Sequence, residues 1–156
     1  MHKYEARVTW TRGANEKFTD NRYSRAHEWA FDSGITVRAS SSPAVVPLPL
    51  SAADAVDPEE ALVASTSSCH MLYFLFFAAK RGFIVERYED QASGVLEKNQ
   101  AGKMFMSRLT LRPRITFSGD TVPTADELES LHHAAHDECF IANSLKSEIV
   151  VEPVLE

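Results

Sequence analysis

Hydrophobic and polar residues alternate at the start of the chain, and the period then lengthens. In YEARVTW, Tyr4, Ala6, Val8 and Trp10 alternate with Glu5, Arg7 and Thr9, which predicts a half-buried strand. In HEWAF the odd positions His27, Trp29 and Phe31 share a face, and Gly34 allows a turn into a further strand, ITVRA. A proline-dotted loop follows, SSSPAVVPLPLSAADAV, expected to run over the surface or toward a partner.

Residues 57–82, DPEEALVASTSSCHMLYFLFFAAKRG, carry the signals of a helix at both ends. Asp57 suits the N-cap and Pro58 the first helical position, and Glu59 and Glu60 complement the positive end of the macrodipole. Lys80 and Arg81 fall in the last turn, with Gly82 placed for the left-handed residue that ends it. The first half is rich in small residues, and the second, MLYFLFFAA, is apolar nearly all round. Such a helix should be buried on every side, which suggests enclosure by a sheet and by another subunit.

Two long strand-like segments come next, FIVERYEDQASGVLEK and FMSRLTLRPRITF. In the second, Phe105, Leu109, Leu111, Ile115 and Phe117 are expected on one face and Arg108, Thr110, Arg112, Arg114 and Thr116 on the other. Thr124 with Glu127 three residues on predicts a capping box, opening a helix that runs to about Cys139. The segment EIVVEPVL supplies a last strand. The order is strands, long helix, strands, helix, strand: an α+β fold, expected as a single domain over 1–156.

Composition narrows the function classes. A chain of 156 residues with 44% hydrophobic and 24% charged residues can build one real core. The formal charge of −6 argues against a nucleic-acid partner, which calls for clustered Lys and Arg. No apolar targeting segment opens the chain, and the run Met71–Ala79 is short for a bilayer span, so no membrane role is expected and a cytoplasmic setting is the default. In that compartment the two cysteines are expected as free thiols.

Taken on its helix alone, Cys69 reads first as a small buried hydrophobe, and a nucleophile would need a nearby cation to lower its pKa. It lies a dozen residues into the helix, about 18 Å along the axis, beyond the reach of the dipole. Glu59, ten residues before Cys69, stands about 15 Å away along the helix. The two can cooperate only if Glu59 comes from an antiparallel copy of the helix. Otherwise Glu59 and Glu60 are dipole compensation. In HHAAHDEC, His132, His136 and Cys139 fall on one helical face and could offer metal ligands, though solvated or hydrogen-bonded histidines explain them as well. Phe74, Phe76 and Phe77 read as core.

The stretch DPEEALVASTSSCHMLYFL, in which a D-P-E-E helix start precedes a cysteine, resembles the OsmC/Ohr family of thiol peroxidases. CFIANSLKSEIVVE, where the second cysteine leads into a K-x-E strand, and RYSRAHEWAFDSGITVRASSSP reinforce the resemblance, which spans essentially the whole chain. It implies an OsmC-like fold of antiparallel sheets around a long buried helix, in an intertwined homodimer that reduces organic hydroperoxides or hydrogen peroxide. Cys69 is then the peroxidatic thiolate, Cys139 the resolving thiol, and Glu59 the carboxylate that orients an arginine. Arg25 in YSRAHEW is the favoured arginine and Arg38 in TVRASSSP the other candidate. Leu72, Phe76 and Phe140 would line an apolar substrate pocket. The resemblance implies no metal and no other cofactor, and a small or protein-bound dithiol, of lipoyl type, as reductant. The sequence departs from familiar members where Phe140 follows the second cysteine in place of proline. A non-catalytic binding or structural dimer of the same fold is the alternative reading.

Overall fold

The computed structural model describes residues 1–154, and the chain divides into two compact units, Met1–Ala61 and Leu62–Glu156. In the first, strands β1 (Ala6–Thr9), β2 (His27–Phe31) and β3 (Thr36–Ala39) form an antiparallel sheet in the order β1-β2-β3. Thr36–Ala39 alternates in burial, but the half-buried alternation expected at the start of the chain is not seen: Ala6–Thr9 is exposed throughout, and in His27–Phe31 the alternation breaks at its end, where Ala30 is half-buried and Phe31 exposed. The turn between β2 and β3 is at Gly34, whose φ is +82°. The proline-dotted loop is tied back by the Arg25 N–H, which donates to the Leu50 carbonyl at 2.7 Å, and by a parallel bridge between Ala39 and Val56. Val45 and Leu48 of that loop are exposed.

Helix α1 (Pro58–Lys80) has both predicted ends. The Glu60 N–H donates to Asp57 Oδ1 at 2.8 Å and the Asp57 N–H donates to Glu60 Oε2 at 3.3 Å, a reciprocal cap that gives Glu60 a structural task. At the other end Gly82 adopts φ +83°, and the Phe83 and Gly82 N–H groups donate to the carbonyls of Ala78 and Ala79, both at 3.0 Å. That double bond pattern is a Schellman motif, which satisfies carbonyls the helix leaves unpaired.

In the second unit, β4 (Ile84–Asp90) pairs with β7 (Pro113–Ser118), both antiparallel, while β5 (Ser93–Lys98), β6 (Met104–Leu111) and β8 (Glu148–Val151) form a three-stranded sheet. Each of the two expected long strands is therefore two strands in different sheets. The break in the second falls at Arg112, whose N–H leaves the ladder and donates to Asp90 Oδ1 at 2.6 Å, just before a buried proline, Pro113. The predicted alternation fails there too, since Leu109, Thr110 and Leu111 are all buried. The sheets are also not wholly antiparallel, because β6 and β8 pair in parallel. The last strand ends at Val151, earlier than expected, and Leu155 of the predicted EIVVEPVL lies outside the described residues. Helix α2 (Ala125–Glu138) has the predicted capping box of Thr124 and Glu127.

The core of this unit is built on Phe74, Ala78, Phe83, Leu131 and Ala135, with Tyr73, Phe77, Tyr88, Ile115 and Phe117 packed against it. On α1 the buried positions are Thr66, His70, Phe74 and Ala78, a strict four-residue repeat that makes a single stripe. Burial on every side was expected, yet within one chain Leu72 is 61% and Phe76 57% exposed. Phe76 therefore leaves the core set, while Phe74 and Phe77 stay in it. By length and composition α1 could cross a bilayer, a property it shares with core helices of this kind. Its buried stripe packs into the protein instead.

Candidate active site

Two thiols meet where α1 and the end of α2 come together. Cys69 is half-buried on α1 and Cys139 is buried at the C-cap of α2, and both are free cysteines. Burial, followed by a hydrogen bond to Cys69, pushes the Cys139 thiol up to about 11. A raised pKa means the neutral form is favoured, so Cys139 is a thiol at neutral pH. The Ala142 N–H donates to Cys139 Sγ at 3.3 Å and opposes that rise.

The chain after Cys139 is tightly organised. It makes a 3-10 turn at Ala142–Ser144, in which the Asn143 N–H donates to the Cys139 carbonyl at 3.0 Å. Asn143 Nδ2 donates to the Asp137 carbonyl at 2.8 Å, and Ser144 Oγ to the Phe140 carbonyl at 2.7 Å. These bonds fix the backbone that carries Cys139 without any proline.

Tyr73 is the residue at the thiols that motif reading does not single out. Its pKa is raised by burial and then by the nearby Cys69, Glu138 and Cys139, so its hydroxyl keeps its proton. The only sequence signal for it is helical spacing, one turn beyond Cys69. Leu72, Phe76 and Phe140, expected to line an apolar pocket, are all exposed, Phe140 by 67%.

Glu59 and the two candidate arginines belong to the first unit. Glu59 is half-buried in the first turn of α1. The Arg25 guanidinium lies 3.8 Å over the Tyr23 ring, donates from Nη2 to Asn21 Oδ1 at 2.9 Å, and bonds the carbonyls of Asn21 and Tyr23. Trp10, Phe18 and Tyr23 cluster beside it, with Phe18 and Tyr23 stacked at 4.7 Å. Arg38 makes a single exposed ion pair, Nε to Asp54 Oδ1 at 3.3 Å.

Of the solvated or hydrogen-bonded histidines expected in the cluster, His132 is of the hydrogen-bonded kind. His132 is buried and its Nδ1 lies 3.0 Å from Nε2 of His70, a residue sequence reasoning passed over. Among the described residues, no three His, Cys, Asp or Glu side chains are grouped to hold a metal ion, so His132, His136 and Cys139 do not form the triad their spacing allowed. Cys139 turns to Cys69 instead.

A long helix carrying one thiol, a second thiol at the end of another helix, and mixed small sheets define a class of thiol-pair α+β protein. The family model described as OsmC-like protein matches residues 51–154, and the chain belongs to that family. It is 54% identical to an OsmC-like protein of unknown function from Vibrio cholerae O1 biovar eltor, with 99% of this chain and 100% of that one covered and a TM-score of 0.97. An organic hydroperoxide resistance protein from Elizabethkingia anophelis shares the fold at 16% identity, with 98% and 94% covered and a TM-score of 0.71. The organic hydroperoxide resistance protein OhrB of Bacillus subtilis does so at 16% identity, with 99% and 98% covered and a TM-score of 0.65. None of the curated proteins matches the sequence significantly.

Proposed function

We propose that this protein is a cysteine-based peroxidase that reduces organic hydroperoxides, or hydrogen peroxide, with Cys69 as nucleophile and Cys139 as resolving thiol. The observation that carries the reading is the asymmetry of the neighbouring thiols: Cys139 is sealed and held as a neutral thiol, while Cys69 is the more accessible. The thiolate is the form that attacks a peroxide, and of the two sulfurs Cys69 is the more accessible. Membership of a family with members named for organic hydroperoxide resistance supports the substrate class.

The Cys69 thiolate attacks one oxygen of the O–O bond, and the other leaves as alkoxide and takes a proton to become the alcohol. Cys69 is left as a sulfenic acid. The Cys139 sulfur then attacks the Cys69 sulfur, forming the disulfide and releasing water, and an external dithiol reduces the bridge. The chemistry runs on the two sulfurs and calls for no metal or other cofactor.

The site is completed in a homodimer, in which the exposed Leu72 and Phe76 of α1 are covered by a second copy. Glu59 then serves the Cys69 of the opposite subunit by orienting an arginine. Arg25 takes that part by giving up its bonds to Asn21 and Tyr23, and Arg38 is the second candidate. Leu72, Phe76 and Phe140 favour alkyl substituents on the peroxide. The test is consumption of cumene hydroperoxide with a dithiol as reductant. Turnover by wild type and its loss in Cys69→Ser are expected, and equal rates in the two would end the proposal.

A further inference from the structure

Tyr73 stands one helical turn beyond Cys69, and its ring meets that of Phe140, the neighbour of Cys139, edge-on at 5.5 Å between centroids. On its other side the ring stacks on Phe77 at 6.4 Å, and Tyr73 and Phe77 both pack against the core around Phe74. A continuous line of contacts therefore runs from the core through Tyr73 to the residue beside the second thiol. The hydrogen bonds of the turn fix the backbone of residues 139–145 and tie it to the end of α2 through the carbonyls of His136 and Asp137. They do not fasten that turn to α1. Phe140, 67% exposed, is held to α1 through this aromatic edge.

We propose that Tyr73 is a positioning residue whose ring anchors Phe140, and so holds Cys139 against Cys69, setting how oxidised Cys69 divides between disulfide and overoxidation. The inference rests on the peroxidase reading. Cys69 sulfenic acid has two fates. In one, the Cys139 sulfur attacks it, the S–S bond forms and water leaves. In the other, the sulfenate attacks a second hydroperoxide, whose O–O bond breaks to give a sulfinic acid and an alcohol. The first is intramolecular and depends on where Cys139 is held; the second depends only on peroxide concentration. Loosening the anchor lowers the effective concentration of Cys139, so a larger share of the sulfenic acid meets a second hydroperoxide.

The experiment uses the full chain, reduced and then titrated with cumene hydroperoxide, with peptide mass spectrometry reading the ratio of Cys69 sulfinic acid to the Cys69–Cys139 disulfide. An edge-to-face pair corresponds to about 2- to 10-fold in such a ratio. Tyr73→Ala and Phe140→Ala should each shift it that far toward sulfinic acid, and Tyr73→Phe, which keeps the ring, should restore the wild-type ratio. An unchanged ratio in the two alanine variants overturns the inference. So does a shift in Tyr73→Phe equal to that in Tyr73→Ala, which would give the task to the hydroxyl. Phe140 is exposed, so Phe140→Ala carries the test should Tyr73→Ala fail to fold. Absence of any Cys69–Cys139 disulfide in wild type would remove the peroxidase reading and this inference together, whereas a normal disulfide with unshifted variants removes this inference alone.

Discussion

His70 Nε2 and His132 Nδ1 lie 3.0 Å apart, with their ring planes within 8° of each other, and join α1 to α2 inside the core. One ring must donate and the other accept, so the pair is stable when both are neutral. Burial, with His136 nearby, lowers His70 to about 4, and burial, with His70 beside it, lowers His132 to about 3. Both pKa values are below the unfolded value near 6.5, so the unfolded chain takes up protons first as the pH falls. The pair's contribution is complete above about pH 6.5 and is lost toward pH 4, a change on the order of 3 kcal/mol for His70. Urea unfolding of wild type and His132→Ala at about pH 7.5 and about pH 4.5 checks this. The variant should be less stable by about 2–4 kcal/mol at the higher pH and by much less at the lower. A gap of the same size at both values would show that the pair's contribution does not depend on protonation in this range.

The two cysteines should differ sharply toward an alkylating agent. Cys139 is 1% exposed and its thiol is pushed up to about 11, while Cys69 is half-buried. Alkylation requires the thiolate and access to it. Iodoacetamide at about pH 8 should therefore label Cys69 well before Cys139, by about tenfold or more in rate, read by peptide mass spectrometry. Labelling at equal rates would remove the asymmetry on which the choice of nucleophile stands.

Leu72 and Phe76 project from a helix whose opposite stripe is fully buried. Two large apolar side chains one turn apart, each more than half exposed, are the kind of surface that a second copy covers. In the proposed homodimer, Phe76→Glu would place a charge in the interface and convert the dimer to a monomer, measured by light scattering after size exclusion. Cys69 lies on the same helix, so peroxidase turnover should fall with it. A variant with the mass and activity of wild type would show that this face is not the interface.

The sequence made the helices legible and the sheets only in part, for physical reasons. The ends of α1 and α2 are written in local chemistry, Asp57 with Glu60, Thr124 with Glu127, and Gly82, which acts within four residues of where it sits. The strand breaks depend on partners far along the chain. Arg112 leaves its ladder because Asp90, 22 residues earlier, accepts its N–H. No periodicity in FMSRLTLRPRITF carries that information. The same holds at the site. Cys69 and Cys139 could be picked out by residue type and by family pattern, but Tyr73 and His70 gain their meaning only from what α2 brings to them. A tyrosine and a histidine in an apolar helix look alike whether they face a thiol, another ring or nothing.

Gly94 shows how closely β5 approaches its neighbours. A Cβ there would lie 2.9 Å from Val63 Cγ2, 3.0 Å from Leu109 Cδ2 and closer still to the end of Met106. Met106 is flexible enough to swing aside, but Leu109 is fully buried and Val63 is part of α1. Gly94→Ala should therefore cost about 1–3 kcal/mol through overpacking, although alanine has the better backbone entropy. Chemical denaturation gives the value. An unchanged or improved stability would mean that β5 can move away from α1 without loss.

Asp90 holds together three elements of the second unit. Its Oδ2 accepts from Ser67 Oγ on α1 at 2.5 Å, and its Oδ1 accepts from the Arg112 N–H at the crossing between β6 and β7. Ser67 lies two residues before Cys69, so this carboxylate also steadies the part of α1 that presents the thiol. Asp90→Ala leaves the Arg112 N–H and the Ser67 hydroxyl without their acceptor, and a charge-assisted bond of this kind is worth about 1.5–3 kcal/mol. Asp90→Asn keeps one acceptor oxygen and one donor, so only one of the two bonds can be retained as it stands. The expected order of stability is wild type, then Asp90→Asn, then Asp90→Ala, with a total loss of about 2–4 kcal/mol. Hydrogen exchange at the Arg112 amide should accelerate in the same order, and an amide that stays protected in Asp90→Ala would show that the β6–β7 crossing is held by something other than this carboxylate.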